Sequence, residues 1–532
     1  MFIRKVQKIK IIFFLVSSMM CLHNIVHAQS LPIGYFEDDI ARALQLQGKI
    51  SPSLSFTQRP LYNHKLLVRD SLLVYLDSSY HPQKEDYKSK WLQVEALPAS
   101  IITKNNTTFP FGWNDGLMEP ARGRQTLITG GAYARTGPLS IQLQPEIIWG
   151  NKRKYDTTRE YGDGTNGPFQ RIWFGQSNIL ISAAGMSAGI STENLWWGPG
   201  RYSSLFMSNN APGFLHFTFK SNRPLKTPIG YFEWNIVSGT LKQDTSFGFE
   251  NFYLKKIPFS DANRFFNAIT VSYQPKWIPG FFIGANRSFQ MYEADMNLQD
   301  PNFVERYLPV FSNLFKKNTN NEDQKERDQL VNIFTRWLFP KTHAEFYFEY
   351  GWNDHKYNNR DFIIDPVHAA SYLLGFRKIQ PLNKKQWIDF TTEIIQMSQT
   401  PDFLVRNAGN WYEHGIVRQG YTNMNQIMGA GSGKGNNVQT FATSWHSGLS
   451  MLGIKTQRIQ HDPVQADAQS KVVTLGQREH IWTDYVFSLE GRYRYKNWLV
   501  NVNVNWVEAM KFGFEFGKRK NISSVIALNY LW

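Results

Sequence analysis

Along most of the chain, apolar and polar residues alternate one by one. Val500, Val502, Val504 and Trp506 interleave with Asn501, Asn503 and Asn505. Ile526, Leu528, Tyr530 and Trp532 interleave with Ser523, Val525, Ala527 and Asn529. A period of two marks a strand whose two faces meet different surroundings. The same pattern recurs upstream. Ile141, Leu143 and Ile147 alternate with Gln142, Gln144 and Glu146, and Leu215, Phe217 and Phe219 with His216, Thr218 and Lys220. Phe232, Trp234 and Ile236 alternate with Glu233 and Asn235, and Phe346, Phe348 and Tyr350 with Glu345, Tyr347 and Glu349. Leu489, Tyr493 and Tyr495 alternate with Glu490, Arg492 and Arg494, and Phe512, Phe514 and Phe516 with Gly513, Glu515 and Gly517. Polar stretches such as Lys316–Asp328 and Gly429–Asn437 read as loops between strands.

A soluble sandwich also alternates, but here the apolar face is rich in Phe, Trp and Tyr while the other carries Glu, Arg, Gln and Asn. That division suits a wall with lipid outside and water inside. The expectation is an all-β fold: a large antiparallel transmembrane β-barrel. About 410 residues at roughly 20–25 per strand and loop correspond to about 16–18 strands, wide enough to hold water or a plug. A final strand ending on an aromatic is the pattern outer-membrane barrels present to their insertion machinery.

Residues 29–100 differ. Asp38–Leu46 has helical spacing with acidic residues in its first turn, and Gly48 is placed to stop it. Ser71–Leu76 reads as helix or strand, and Asp86–Leu97 as a second amphipathic helix. Residues 29–100 are therefore expected to form a small helical periplasmic or plug segment, and residues 101–532 the barrel. Ahead of them, Arg4, Lys5, Lys8 and Lys10 precede an apolar run, Ile11–Leu22, and the small-residue site Val26-His27-Ala28. Residues 1–28 thus read as a secretory signal peptide. A lipoprotein signal at Cys21 is disfavoured because Ser18-Met19-Met20 lacks the small residues a lipobox needs.

Composition narrows the choice further. The single cysteine, Cys21, lies in the signal, so a mature chain has neither a disulfide framework nor a thiol nucleophile. Removing the signal takes away four basic residues and no acidic one, leaving +11 of the formal +15. This excess suits acidic polysaccharide or lipopolysaccharide phosphates; export argues against nucleic acid. Mean hydropathy is −0.40 and no apolar run past the signal approaches the roughly 18 residues of a membrane helix. A barrel escapes that test, because half of each strand faces water. The aromatic content, 15% with 17 Trp and 39 Phe, fits two interfacial girdles.

The densest motif is Trp196-Trp197-Gly198-Pro199-Gly200. Two indoles beside a rigid turn can grip a sugar face, whose C–H groups pack on aromatic rings. An interfacial girdle or an in-folded structural loop is the plainer reading. Flanking Glu193, Arg201, Asn209 and Asn210 can hydrogen-bond glycan hydroxyls, with Arg201 paired to a sugar carboxylate, or can equally form a buried lumen network. Tyr412 and His414, followed by Asn423 and Gln426, form an aromatic, amide-rich stretch that is either a glycan-contacting loop or a loop closing over the barrel. Gly185-Met186-Ser187-Ala188-Gly189 matches a nucleophile-elbow pattern by chance, since no helix pattern follows it. The glycine run Gly429–Gly435 fails as a phosphate loop, with Met428 in place of the first glycine and Gly435 in place of the hydroxyl; it reads as a surface loop. The 12 histidines show no metal-binding spacing, so no metal or other cofactor is expected.

The stretch from Glu193 through WWGPG to Ser208-Asn209-Asn210-Ala211-Pro212-Gly213 resembles the Wzi family of capsule assembly proteins. Gly112-Trp113-Asn114-Asp115-Gly116 with Pro120-Ala121-Arg122-Gly123 is similar, as is Trp411-Tyr412-Glu413-His414-Gly415 with Gly420-Tyr421-Thr422-Asn423. The resemblance runs in order over most of the mature chain and is nearest to divergent Bacteroidetes-type versions. It implies an outer-membrane barrel with a periplasmic helical element, acting on capsular polysaccharide as a lectin and not as an enzyme. The implied partners are capsular or surface polysaccharide, outer-membrane lipid or lipopolysaccharide, and capsule-export components. A porin-like channel for small solutes is the alternative.

Overall fold

The structure is a computed structural model. It describes residues 29–531 apart from 63–68, 78–86, 90, 155–165, 244–262, 300–302, 315–326, 354–362, 366, 399–409, 463–480 and 515–516. The signal segment 1–28, most of the loop Lys316–Asp328, Phe516 and Trp532 lie outside the described residues.

Alternation produces the wall. The strand His216–Ser221 buries His216, Thr218 and Lys220 on its inner face and exposes Phe217 and Phe219 on its outer one. Other strands repeat the division: Glu345 and Glu349 point inward and Phe346 outward on Ala344–Asn353. Eighteen antiparallel strands follow one another around the barrel, and the last, Lys518–Tyr530, pairs with the first, Gln93–Asn106, which closes it. Three of the eighteen are interrupted, for example Leu139–Leu143 continued by Glu146–Arg153, both paired to Gly123–Thr136.

Tight turns such as those at 136–139, 183–186, 447–450 and 495–498 gather at one end of the wall, and long connections such as 107–122, 192–215 and 397–436 at the other. In outer-membrane barrels the short turns are periplasmic and the long loops extracellular. Among the described residues no helix is long and apolar enough to cross a membrane. The strands carry the lipid-facing surface, with Ile522, Ile526, Trp506, Phe487 and Phe441 exposed on its outside.

The N-terminal segment sits inside the barrel. Its helix, Phe36–Leu46, buries Ile40, Ala41 and Leu44 against wall residues Leu338, Ile379, Trp387 and Leu499. Gly48, at φ 71°, ends the helix as expected, while its N–H donates to the Gln45 carbonyl and that of Lys49 to Leu44. The Leu46 carbonyl lies 3.0 Å from His343 Nδ1 in a short turn, which fixes this end of the helix at the short-turn rim of the wall. Arg69–Leu76 resolves the ambiguous second segment as a helix.

Three expectations are corrected. The described residues of Asp86–Leu97 are not helical: Tyr87–Lys88 is a short strand and Gln93–Leu97 opens the first barrel strand, so the wall begins before residue 101. The cross-strand partner decides this, because the Gln93–Leu97 backbone pairs with Gly131–Arg135. Phe512–Phe514 is a short 3-10 turn, not an outward strand face. Its two phenylalanines turn inward onto Trp482 and Phe109. The glycine run 429–435 is packed inside the barrel mouth instead of on the surface; a Cβ on Gly431 would meet Asn210 and Trp113. These in-folded loops join Trp197, Phe206, Trp411, Tyr412 and Tyr421 in one apolar cluster across the lumen.

Candidate functional site

The Trp pair is held by the N-terminal segment. Trp196-Trp197 forms a two-residue ladder with Gln58-Arg59. Gly198 then turns the chain at φ 143°, where a Cβ would fall 2.3 Å from Glu349 Oε1, so only glycine fits. Trp197 is fully enclosed and stacked on Phe206, 5.8 Å between centroids and 7° from parallel. Trp196 carries the Arg59 guanidinium 4.3 Å above its ring.

The turn delivers Arg201 into a charged network. Its Nε and Nη2 donate to Asp39 at 3.0 and 2.9 Å, and Nη1 donates to Asp389 at 3.2 Å and to Thr391. Arg377 bridges the same two carboxylates, 2.6 Å from Asp389 and 3.1 Å from Asp39. Burial pulls the Asp39 carboxyl up, but Arg201 and Arg377 overrule it and hold it well below the ordinary carboxylate range. Arg201 is therefore saturated by acids of this chain.

The other expected site residues are likewise engaged. Glu193 accepts from Tyr62 at 3.2 Å and Ser191 at 3.0 Å, and burial pushes its carboxyl up to about 7. Asn209 accepts from Asn194 at 2.6 Å and donates to the Asn114 carbonyl at 3.0 Å. Asn210 donates to the Ile427 carbonyl at 2.9 Å. Tyr412 donates to the Leu205 carbonyl at 2.8 Å and accepts from the Ala430 N–H at 2.7 Å. His414, half-buried, caps the turn that follows it, accepting at Nδ1 from Val417 N–H at 3.2 Å. Ser187 lies on the strand Met186–Ser191, not at a strand-to-helix elbow, and bonds Ser182 at 2.6 Å and Asn222 at 2.5 Å. Among the described residues no group of His, Cys, Asp and Glu could hold a metal.

A cavity of about 540 Å³ lies between the plug and the wall formed by the first and last strands. Trp196, Arg201 and Asn209 line it; Glu193, Trp197, Asn210, Tyr412 and His414 do not. Its long-loop side is bounded by Phe111–Met118, and its short-turn side by Phe36, Met451, Arg492 and Asn529. Ion pairs Lys104–Asp115 and Lys455–Glu490 (2.7 Å) flank it, with Trp113 and Tyr202 as aromatic faces. Asn501, Asn503 and Asn505 supply a ladder of amides on one strand. Sequence reasoning did not single out Tyr202 or Arg492 as site residues, although Arg492 falls on the inward face of its alternating strand.

The sequence model for the capsule assembly protein Wzi family matches residues 121–510. The chain belongs to that family. Among solved structures, the carbohydrate-binding outer-membrane barrel Wzi of Escherichia coli, involved in group 1 capsule assembly, is similar at TM-score 0.63 and 12% identity, covering 95% of this chain and 100% of that one. At that identity the likeness concerns the fold. The outer-membrane protein OprD of Pseudomonas aeruginosa follows at TM-score 0.38 and 10% identity, covering 85% of this chain and 96% of that one. No curated protein matches the sequence. The family, the closed barrel and its lipid-facing belt make this an outer-membrane protein.

Proposed function

We propose that this protein binds capsular or related surface polysaccharide without covalent chemistry and supports its attachment or assembly at the cell surface. The observation that carries the reading is a barrel filled by its own plug and in-folded loops that still keeps a cavity walled by amides, paired charges and aromatic rings. Amides and hydroxyls match the hydroxyl pattern of sugars, and Trp113, Tyr202 and Trp196 offer rings for their C–H faces. A glycan repeats its epitope, so weak sites gain from avidity. A solute channel would use a similar wall; what favours the polysaccharide reading over it is that, among the described residues, the plug helix and the aromatic cluster stand in the lumen. Lipopolysaccharide surrounds the wall, and capsule-export components would approach from the periplasmic rim, where the plug helices end. Nucleic acid has no place among these partners.

The test compares a deletion strain with a complemented one, scoring cell-bound against released polysaccharide. Polysaccharide moving from cells to medium, and returning with the gene, is the expected result. Unchanged retention with altered uptake of small solutes would replace this reading with the channel.

A further inference from the structure

We infer that the lumen cavity is a subsite for an acidic sugar unit, with Arg492 receiving its carboxylate; this rests on the polysaccharide reading above. The cavity's other cations already have carboxylate partners. Lys104 meets Asp115, Lys455 meets Glu490, Arg201 meets Asp39, Arg59 meets Asp38 at 3.1 Å, and Arg42 meets Glu345 at 2.8 Å. Arg492 differs. Its Nε donates to the Leu449 carbonyl at 2.7 Å, which is a neutral acceptor. Asp39 and Glu37 act on it through space. Its Nη2 is buried without a hydrogen-bond partner, in a residue only 7% exposed that lines the cavity. A guanidinium removed from water with part of its fork unbonded is costly, and a planar carboxylate fits that fork.

The surroundings define what carries that carboxylate. Asn501 faces Arg492 directly across the strand pair, and Asn503, two residues on, has a buried Oδ1 with no partner. Phe36 lies 5.1 Å from the guanidinium, so an apolar ring borders the anion position. Trp196 Nε1, also lining the cavity, is another buried donor without a partner. A carboxylate beside hydroxyl-matching amides and ring faces is the chemistry of a uronic acid, and the cavity volume suits a short oligosaccharide.

The experiment uses the purified full chain in detergent and oligosaccharides of two to four sugars cut from the cell's own surface polysaccharide. They are tested before and after reduction of their carboxyls to alcohols, with tryptophan fluorescence and calorimetry as readouts. Carboxyl reduction is expected to weaken binding to the unaltered protein about tenfold or more. Arg492→Gln should weaken the acidic oligosaccharide to the same degree and leave the reduced one unchanged. Equal binding of both forms by the unaltered protein overturns the assignment without reference to any variant, and so does a polysaccharide that carries no carboxylate. A folded Arg492→Gln that keeps full affinity for the acidic form also overturns it. If any of these three occurs while cells still retain polysaccharide in a gene-dependent way, only the cavity assignment falls; if gene-dependent retention is also absent, the polysaccharide reading itself falls.

Discussion

A charge inside the barrel is held by the charge opposite it, and removing one partner leaves the other buried. Glu345 stands between Arg336, 2.6 Å away, and Arg42, 2.8 Å away, with almost no exposure of any of the three. Breaking a buried pair from one side costs about 3–5 kcal/mol, because the remaining cation keeps its desolvation and loses its counter-charge. Glu345→Leu should therefore lower stability by about that much in denaturant unfolding of the micelle-bound protein. A shift below about 1 kcal/mol would mean that water reaches these cations. The same logic separates Arg201, the glycan ligand that the sequence suggested, from Arg492, which it did not. Both lie in aromatic, polar stretches. What separates them is Asp39 and Asp389, residues 162 and 188 positions away from Arg201, and no local pattern reports such a partner.

At the scale of elements, the plug helix is fastened by the acids of its own first turns. Asp38 holds Arg59, while Asp39, with 35% of its side chain still exposed, holds Arg201 and Arg377. The folded-state acidity of Asp39 lies below its ordinary value of 3.8, so its contribution is present above that pH and fades as the pH falls below it. Acidification below about pH 4 should loosen the helix, and Asp39→Asn should do so at neutral pH. Protease cleavage within the N-terminal segment, or ion conductance of single barrels in planar bilayers, reads either effect. Unaltered protection in Asp39→Asn would show that apolar packing of Ile40 and Leu44 holds the plug alone. Elements with a clear period were legible in advance: the strands, and the helix that Gly48 ends. The in-folded loops were not. Glycine at 429–435 and phenylalanine at 512–514 look like solvent loop and strand until the lumen that receives them is known, because burial there comes from contacts distant in sequence.

The whole molecule turns on which side of one thin wall a side chain occupies. Ile526 and Ala527 are neighbours near the middle of the 13-residue last strand. Ile526 is exposed to lipid, whereas Ala527 lines the cavity. An arginine facing lipid near the bilayer midplane costs about 2–4 kcal/mol, and the same residue facing the lumen meets water and polar groups. Ile526→Arg should reduce the amount of folded barrel in the outer membrane, scored by the folded band that resists detergent until heated. Ala527→Arg should assemble normally and instead narrow the cavity, lowering affinity for the short oligosaccharides while leaving the folded band unchanged. One substitution placed at adjacent positions thus separates the lipid-facing function of the wall from its ligand-facing one. If both variants assemble equally well and bind equally well, the inward and outward faces of this strand have been assigned wrongly, and with them the cavity.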